Sequence, residues 1–298
     1  MELQQLRYVV AIAEERNFTR AAERCFVVQS ALSHQIKALE QELGTALFVR
    51  TSRRVELTGA GEAFLVEARA SLAAADRAIA AAAEATGQIR GSLSIGVIPT
   101  VTAINVPNVI ETFHDSYPQV DLTVRSGGSD TFIREIREGR LDVAFLGLDA
   151  ATATLNGVAS HEMARERLVV VMSTCHELAR DDTVTLADLA EETFIDFPTG
   201  TPGRLQSDRA FDTAGLLRRV AFEAMSVEFM LALVQRKLGL CLLPAGTVPH
   251  DPRVRAIPVT DGPVRTEFLA WNDFNPSPPA RAFVEQAKKS INVPSQYI

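Results

Sequence analysis

The sequence predicts an α/β protein in three parts: an all-helical head ending in a short ribbon, one long helix, and a body in which strands alternate with helices. Three observations carry this reading. Two short amphipathic segments separated by a tight turn lie within the first 45 residues. An alanine-rich stretch without proline runs from Gly59 to about Thr86. Beyond Gly91, apolar runs of strand length alternate with segments of helical period.

The head opens with an amphipathic helix from Leu3 to about Glu15, with Leu3, Leu6, Val10 and Ala13 on one stripe. Asn17 to Arg24 reads as a second, short helix, and the paired Ala21 and Ala22 allow it to approach its neighbour closely. From Gln29 a third helix places Leu32, Ile36, Leu39 and Leu43 at buried spacing. Gln29, Ser30, Ser33, His34 and Lys37 are then left facing outward together. Such side chains suit base edges and phosphates, so a duplex-reading helix-turn-helix is expected, with Thr19 at the start of its first helix included. Val28 stands where Ser or Thr would cap the third helix, and the turn Cys25-Phe26-Val27 lacks the frequent glycine. Gly44 stops the helix. Between Leu47 and Thr58 two short apolar runs flank Arg50, Arg53 and Arg54, which reads as a wing meeting phosphates or a minor groove.

Along the alanine-rich stretch, Leu65, Ala68, Leu72, Ala75 and Ile79 follow alternating steps of three and four, the seam of a helix that pairs with a second copy. At about 1.5 Å per residue the rod spans roughly 40 Å. Past Gly91 come strands at 92–98, 120–124 and 142–146 with helices near 105–116 and 131–138. A second set follows: strands near 167–172, 194–197, 220–224 and 240–243, with helices at 205–213 and 227–237. A strand at 266–271 and a helix from Pro278 to about Ser290 close the chain. This alternation predicts a mostly parallel sheet covered by helices. Ligands of such sheets gather at the carboxyl ends of strands, which singles out Pro99-Thr100-Val101, Gly127-Gly128-Ser129 and Phe197-Pro198-Thr199.

At 298 residues the chain has room for two or three cores, and 47% hydrophobic with 22% charged residues is ordinary for a globular protein. A net charge of -7 excludes a nonspecific nucleic-acid coat. Residues 1–58 carry eight Lys and Arg against seven acids, so DNA affinity has to come from focused arginines and from several heads acting together. Cys25, Cys175 and Cys241 share no spacing and are expected as buried thiols, without a disulfide framework, a zinc site or a peroxide-sensing pair. The five histidines lack metal-ligand spacing, and neither a nucleophile elbow nor a phosphate loop is present, so no catalytic residue and no cofactor are expected. Nothing at the amino terminus resembles a signal peptide and no run approaches membrane-spanning length, which predicts a cytoplasmic protein with no membrane partner.

The first sixty residues resemble the amino-terminal domain of the LysR-type transcriptional regulators. "FTRAAE", then "QSALS", "QI..LE..LG..LF.R" and "R...LT.AG" keep that family's order and spacing. The remainder is similar to the family's effector domain, itself like periplasmic solute-binding proteins, through "IGV", Gly139-Arg140-Leu141-Asp142-Val143-Ala144 and the run Leu233 to Pro244. The resemblance implies a winged helix-turn-helix over 1–58, a linker and dimerisation helix over 59–90, and a two-lobed effector domain over 91–298. Lobe I would take 91–162 and 268–298, lobe II 163–267, with two crossing strands as the hinge. It further implies that Thr100 and Ser129 hydrogen-bond an acidic group of a small-molecule effector between the lobes, Val101, Phe197 and Thr199 standing beside it. A homo-oligomer, a tetramer of two dimers, would bind promoter DNA and change its contact with RNA polymerase when the metabolite, a carboxylate or another small polar molecule, enters the cleft. A solute-binding transport subunit, the competing reading, leaves the DNA-reading head unexplained.

Overall fold

The computed structural model describes residues 1–50, 54–149 and 155–291. Two compact units result, Met1–Gly91 with Glu138–Arg140, and Ser92–Arg137 with the described residues from Leu141 on.

The first unit holds α1 (Leu3–Glu15), α2 (Phe18–Arg24), α3 (Gln29–Leu43), a ribbon of β1 (Phe48–Arg50) and β2 (Val55–Leu57), and α4 (Gly59–Glu84). Asn17 opens α2 by accepting from the amides of Thr19 at 2.8 Å and Arg20 at 3.1 Å. Val28 gives α3 no side-chain cap, and Gly44 at φ 67° ends it. Where the turn lacks glycine, Phe26 itself adopts φ 54° and stands 96% exposed. The core joins Val9, Ile12, Ala21, Leu32, Ile36, Leu39 and Leu47. Two expected core residues fall outside it. Leu3 is exposed, because α1 is packed by α2, α3 and α4 around an arc centred on Leu6, Val9 and Ile12 rather than on the stripe Leu3, Leu6, Val10 and Ala13. Leu43, in the last turn before Gly44, is exposed as well.

The ribbon is antiparallel, Phe48 facing Leu57 and Arg50 facing Val55. Thr58 fastens it to α4: its hydroxyl donates to the Ala46 carbonyl and accepts from the Gly61 amide. Gly61 is obligatory here, since a Cβ would stand 2.1 Å from the Leu47 carbonyl oxygen. The long helix departs from its expected role at one end. Leu65 belongs to the core of the head and Ala68 is buried within the same chain, so neither is available to a partner helix. Leu72 and Ala75 are half-buried and Ile79 is exposed.

The second unit continues with β3 (Gly91–Val97), α5 (Val106–Ser116), β4 (Val120–Ser126), α6 (Ser129–Arg137), β5 (Val143–Leu148), β6 (Val158–Arg167), β7 (Val169–Ser173), β8 (Thr193–Asp196), α7 (Pro202–Thr213), β9 (Arg219–Glu223), α8 (Val227–Gln235), β10 (Cys241–Leu243), β11 (Val254–Pro258), β12 (Val264–Asn272) and α9 (Pro278–Ile291). Lobe I is built on a five-stranded sheet in the order β4-β3-β5-β12-β6; lobe II uses β10-β7-β11 and the pair β8-β9. These sheets are mixed rather than mostly parallel. The pairs β3-β5 and β8-β9 are parallel, whereas β12 runs antiparallel to β5 and β6, and β7 antiparallel to β10 and β11. The chain visits lobe II and returns, so its returning strand β12 enters the lobe I sheet against the direction of β5. The lobes also divide a few residues away from the expected 162/163 and 267/268: β6 stays in the lobe I sheet to Arg167, and β12 joins it at Val264.

Aromatic packing closes each lobe. Phe113 and Phe145 meet Phe283 edge to face at 5.3 and 6.3 Å in lobe I. In lobe II, Phe194 and Phe211 pack at 5.4 Å under the Arg218 guanidinium, which also holds Asp196 at 2.6 Å and Asp208 at 2.7 Å. Burial pushes the Asp196 carboxyl above the usual range against the pull of Arg218.

Candidate nucleic-acid interface and ligand cleft

In the head, Gln29, Ser30, His34 and Lys37 are exposed and Ser33 is half-buried, so the polar flank of α3 forms beside the buried row Leu32, Ile36 and Leu39. Thr19 is exposed at the start of α2. Glu40, one turn beyond Lys37 on α3, accepts from the amides of Leu47 at 2.8 Å and Phe48 at 3.2 Å and so fixes the ribbon relative to α3. A second brace joins the ends of α1 and α2. Arg24 pairs with Glu14 at 2.7 Å, and Arg69 of α4 reaches the same Glu14 at 3.0 Å. That contact, chiefly a hydrogen bond to Glu14, holds the Arg24 guanidinium above its ordinary pKa. Arg54 is largely exposed on the ribbon, 3.9 Å from Glu56. Arg53, and the side chain of Arg50, lie outside the described residues.

In the second unit one cleft takes in about 570 Å³, open mouth included, between the ends of β3, β5 and α6 on one side and the loop after β8 with α7 on the other. Thr100, Ser129 and Phe197 line it together. Two expected residues do not. Val101 packs into the lobe I core with Ile98 and Phe132, and Thr199 is exposed, its hydroxyl donating to Glu223 at 2.8 Å. Thr201, Pro202 and Gly203 take the place expected of Thr199. Asp130, which would repel an anion, is exposed and not part of the lining.

The hydroxyls have different freedoms. Ser129 Oγ donates to the Gly147 carbonyl at 3.2 Å and accepts from the Gly147 amide at 3.1 Å, so its proton is engaged in tying α6 to β5. Thr100 Oγ1 accepts from Arg265 Nη1 at 2.7 Å, which leaves its own proton for a ligand. Arg265 is the group that sequence reasoning missed. It stands on β12, 4% exposed, and joins Glu166 of β6 at 2.9 Å, the Thr100 carbonyl at 2.6 Å and Glu267. Glu267, fully buried, also accepts from the Thr102 amide at 3.0 Å, the Thr102 hydroxyl at 2.6 Å and the Ala103 amide at 3.1 Å. The cluster therefore ties both crossing strands to the loop that lines the cleft. A signal existed: Arg265 and Glu267 share one strand face, in a segment too apolar elsewhere for exposed charges.

Family models match both halves: a bacterial regulatory helix-turn-helix protein of the lysR family over residues 3–62, and a LysR substrate binding domain over residues 86–292. This chain belongs to the LysR family. It is a DNA-binding transcriptional regulator with a carboxyl-terminal effector-binding domain. The regulator BudR of Raoultella terrigena is 32% identical over 96% of this chain and 99% of its own length. The dual regulator OxyR of Escherichia coli K12 is 32% identical over 98% and 95%. Among solved structures, a full-length OxyR variant from Pseudomonas aeruginosa superposes with a TM-score of 0.75 at 28% identity, covering 99% of this chain and 96% of that one. Full-length CbnR in complex with its target DNA gives a TM-score of 0.67 at 28% identity, covering 97% and 100%. No helix among the described residues of this LysR regulator is long and apolar enough to cross a membrane.

Proposed function

We propose that this regulator reads a promoter through Gln29, Ser30, Ser33, His34 and Lys37 of α3, with Thr19 and the ribbon arginines Arg50, Arg53 and Arg54 on the flanking backbone. A small metabolite in the cleft selects one arrangement of the two lobes. The observation that carries this reading is the convergence of Thr100, Ser129 and Phe197, drawn from three separate strand ends, on one cleft crossed by β6 and β12. A ligand with unequal affinity for two lobe arrangements shifts their populations by that difference. In a homo-oligomer, a tetramer of two dimers, the shift changes the spacing of the DNA-reading heads, the bend of the DNA and the contact with RNA polymerase.

The protein works by binding rather than by catalysis, without a cofactor, in the cytoplasm where its promoter lies. Its sensing is reversible ligand binding, and burial pushes the Cys241 thiol well above its usual range, away from the reactive thiolate. Pairing of subunits falls to the distal part of α4, from Leu72 through Ile79, since Leu65 and Ala68 are already buried in their own chain. Thermal-shift screening of the purified regulator against carboxylates, amino acids and aromatics identifies the effector class, and the hit is then added to a DNA-binding assay. Thr100→Val should blunt the response to the effector and leave unliganded DNA binding as it was. An undiminished response would remove the cleft from the mechanism.

A further inference from the structure

Among the described residues that line the cleft, one buried side-chain polar atom has no hydrogen-bond partner. Gln206 lies one turn into α7, is only 6% exposed and lines the cleft, yet its Nε2 is shielded from solvent and makes no hydrogen bond. Leaving a buried amide unsatisfied costs about 1–3 kcal/mol, so such a group is retained where something else completes it. Its neighbours present donors too. The helix α7 opens at Thr201 with no side-chain cap, the Thr201 hydroxyl donating to the Pro198 carbonyl at 2.8 Å, and Gly203 in its first turn, whose amide has no intrahelical acceptor, lines the cleft. Thr100 keeps a hydroxyl proton for the same space.

Resting on the cleft reading above, we propose that Gln206 is the specificity-determining contact for the effector, and that the effector is a small monocarboxylate with an apolar body. A ligand end that satisfies Gln206 Nε2, the Gly203 amide and the Thr100 hydroxyl must carry acceptors, and the amino-terminal end of α7 favours a negative one. A second carboxylate finds no cation. Among the described residues Arg265 is the only charged side chain lining the cleft, and Glu166 and Glu267 already hold it. The body of the ligand is met by Ile98, Leu168, Phe197, Met225, Leu242 and Pro244, which solvate an aromatic ring or a branched chain and not a sugar.

The test uses the full-length protein and three matched probes: 3-phenylpropanoate, its neutral amide, and the dianion 3-(4-carboxyphenyl)propanoate, each titrated calorimetrically. The monoanion should bind at least ten times more tightly than either of the others. Equal affinity for the amide or the dianion, or no heat from the monoanion, overturns the ligand class. Gln206→Leu should weaken 3-phenylpropanoate roughly ten- to a hundredfold, the range for a hydrogen bond to a charged group. In the absence of ligand it should melt at or above the wild-type temperature, because the change removes an unpaired amide. A structural role for Gln206 would instead lower that temperature, and Gln206→Met provides a second variant of nearly equal shape. Unchanged affinity in both variants, with loss in Thr100→Val, rejects Gln206 and spares the cleft. Unchanged affinity in all three rejects the cleft as well.

Discussion

Replacing Arg265 by Met tests the buried cluster under the cleft. Arg265 Nη2 stands 2.9 Å from Glu166. Two unit charges at that distance attract by about 6 kcal/mol at an effective dielectric near 20, an upper bound before desolvation is subtracted. Glu166 keeps 24% of its side chain in solvent and can rehydrate, whereas Glu267 is fully buried and retains only the Thr102 and Ala103 donors. The uncompensated charge is therefore that of Glu267, and removing one partner of a buried pair costs about 3–5 kcal/mol. Three retained neutral donors place Arg265→Met near the lower end, about 3 kcal/mol. Trp271, the single tryptophan, lies on β12 six residues away, so its fluorescence follows unfolding of this unit during urea titration. With a slope of about 3 kcal/mol per molar, the midpoint should fall by roughly 1 M. The double variant Arg265→Met with Glu267→Gln should recover part of the loss, because the stranded charge is gone. A single-variant midpoint within about 0.2 M of wild type, or a double variant less stable than the single, refutes the reasoning.

Four further outcomes follow from local geometry. Gly61→Ala drives a methyl onto the Leu47 carbonyl and should destabilise the head by about 1–3 kcal/mol, seen by circular dichroism as earlier melting; a wild-type curve would show the close approach to be unnecessary. Phe26→Gly relieves the left-handed backbone and should stabilise the head by about 0.5–1 kcal/mol in the same assay, and destabilisation would mean that the exposed ring packs in solution. A thiol reagent should label exposed Cys175 in the native protein but reach fully buried Cys241 only on unfolding. Because the folded state raises the Cys241 pKa above its unfolded value, its contribution is complete below about pH 8.5 and declines as pH rises beyond it. Cys241→Ala should flatten that alkaline decline relative to wild type, and an unchanged pH profile would assign it to other groups.

The parts legible in the sequence were those governed by local chemistry. Asn17 opens α2, Gly44 ends α3, the 3.6-residue period of α3 sets its buried row, and α1 spans the expected Leu3 to Glu15. Tertiary contacts decided the rest. The edge strand β6, Val-Ala-Ser-His-Glu-Met-Ala-Arg-Glu-Arg, is too polar to be read as a strand and is held by its pairing with β12. Likewise α7 begins at Pro202 rather than near Leu205, so the cap position Thr201 and proline at the first helical position were the signal for a helix start lining the cleft. Gln206 lines the cleft because α7 starts at Pro202. Leu65 and Ala68 fit a dimer seam by period, but period alone does not distinguish a second subunit from the chain's own head. Cys175, expected to be buried, is exposed.

In the proposed function the outward flank of α3 selects the DNA sequence. Selection of bound duplexes from a random library at fixed salt, with the wild type and with Ser33→Ala plus His34→Ala, tests it most directly. The wild type should enrich a two-fold-related pair of half-sites that the double variant no longer enriches, although it still retains duplex at low salt. Enrichment of the same motif by both proteins, or of none by the wild type, would contradict the claim.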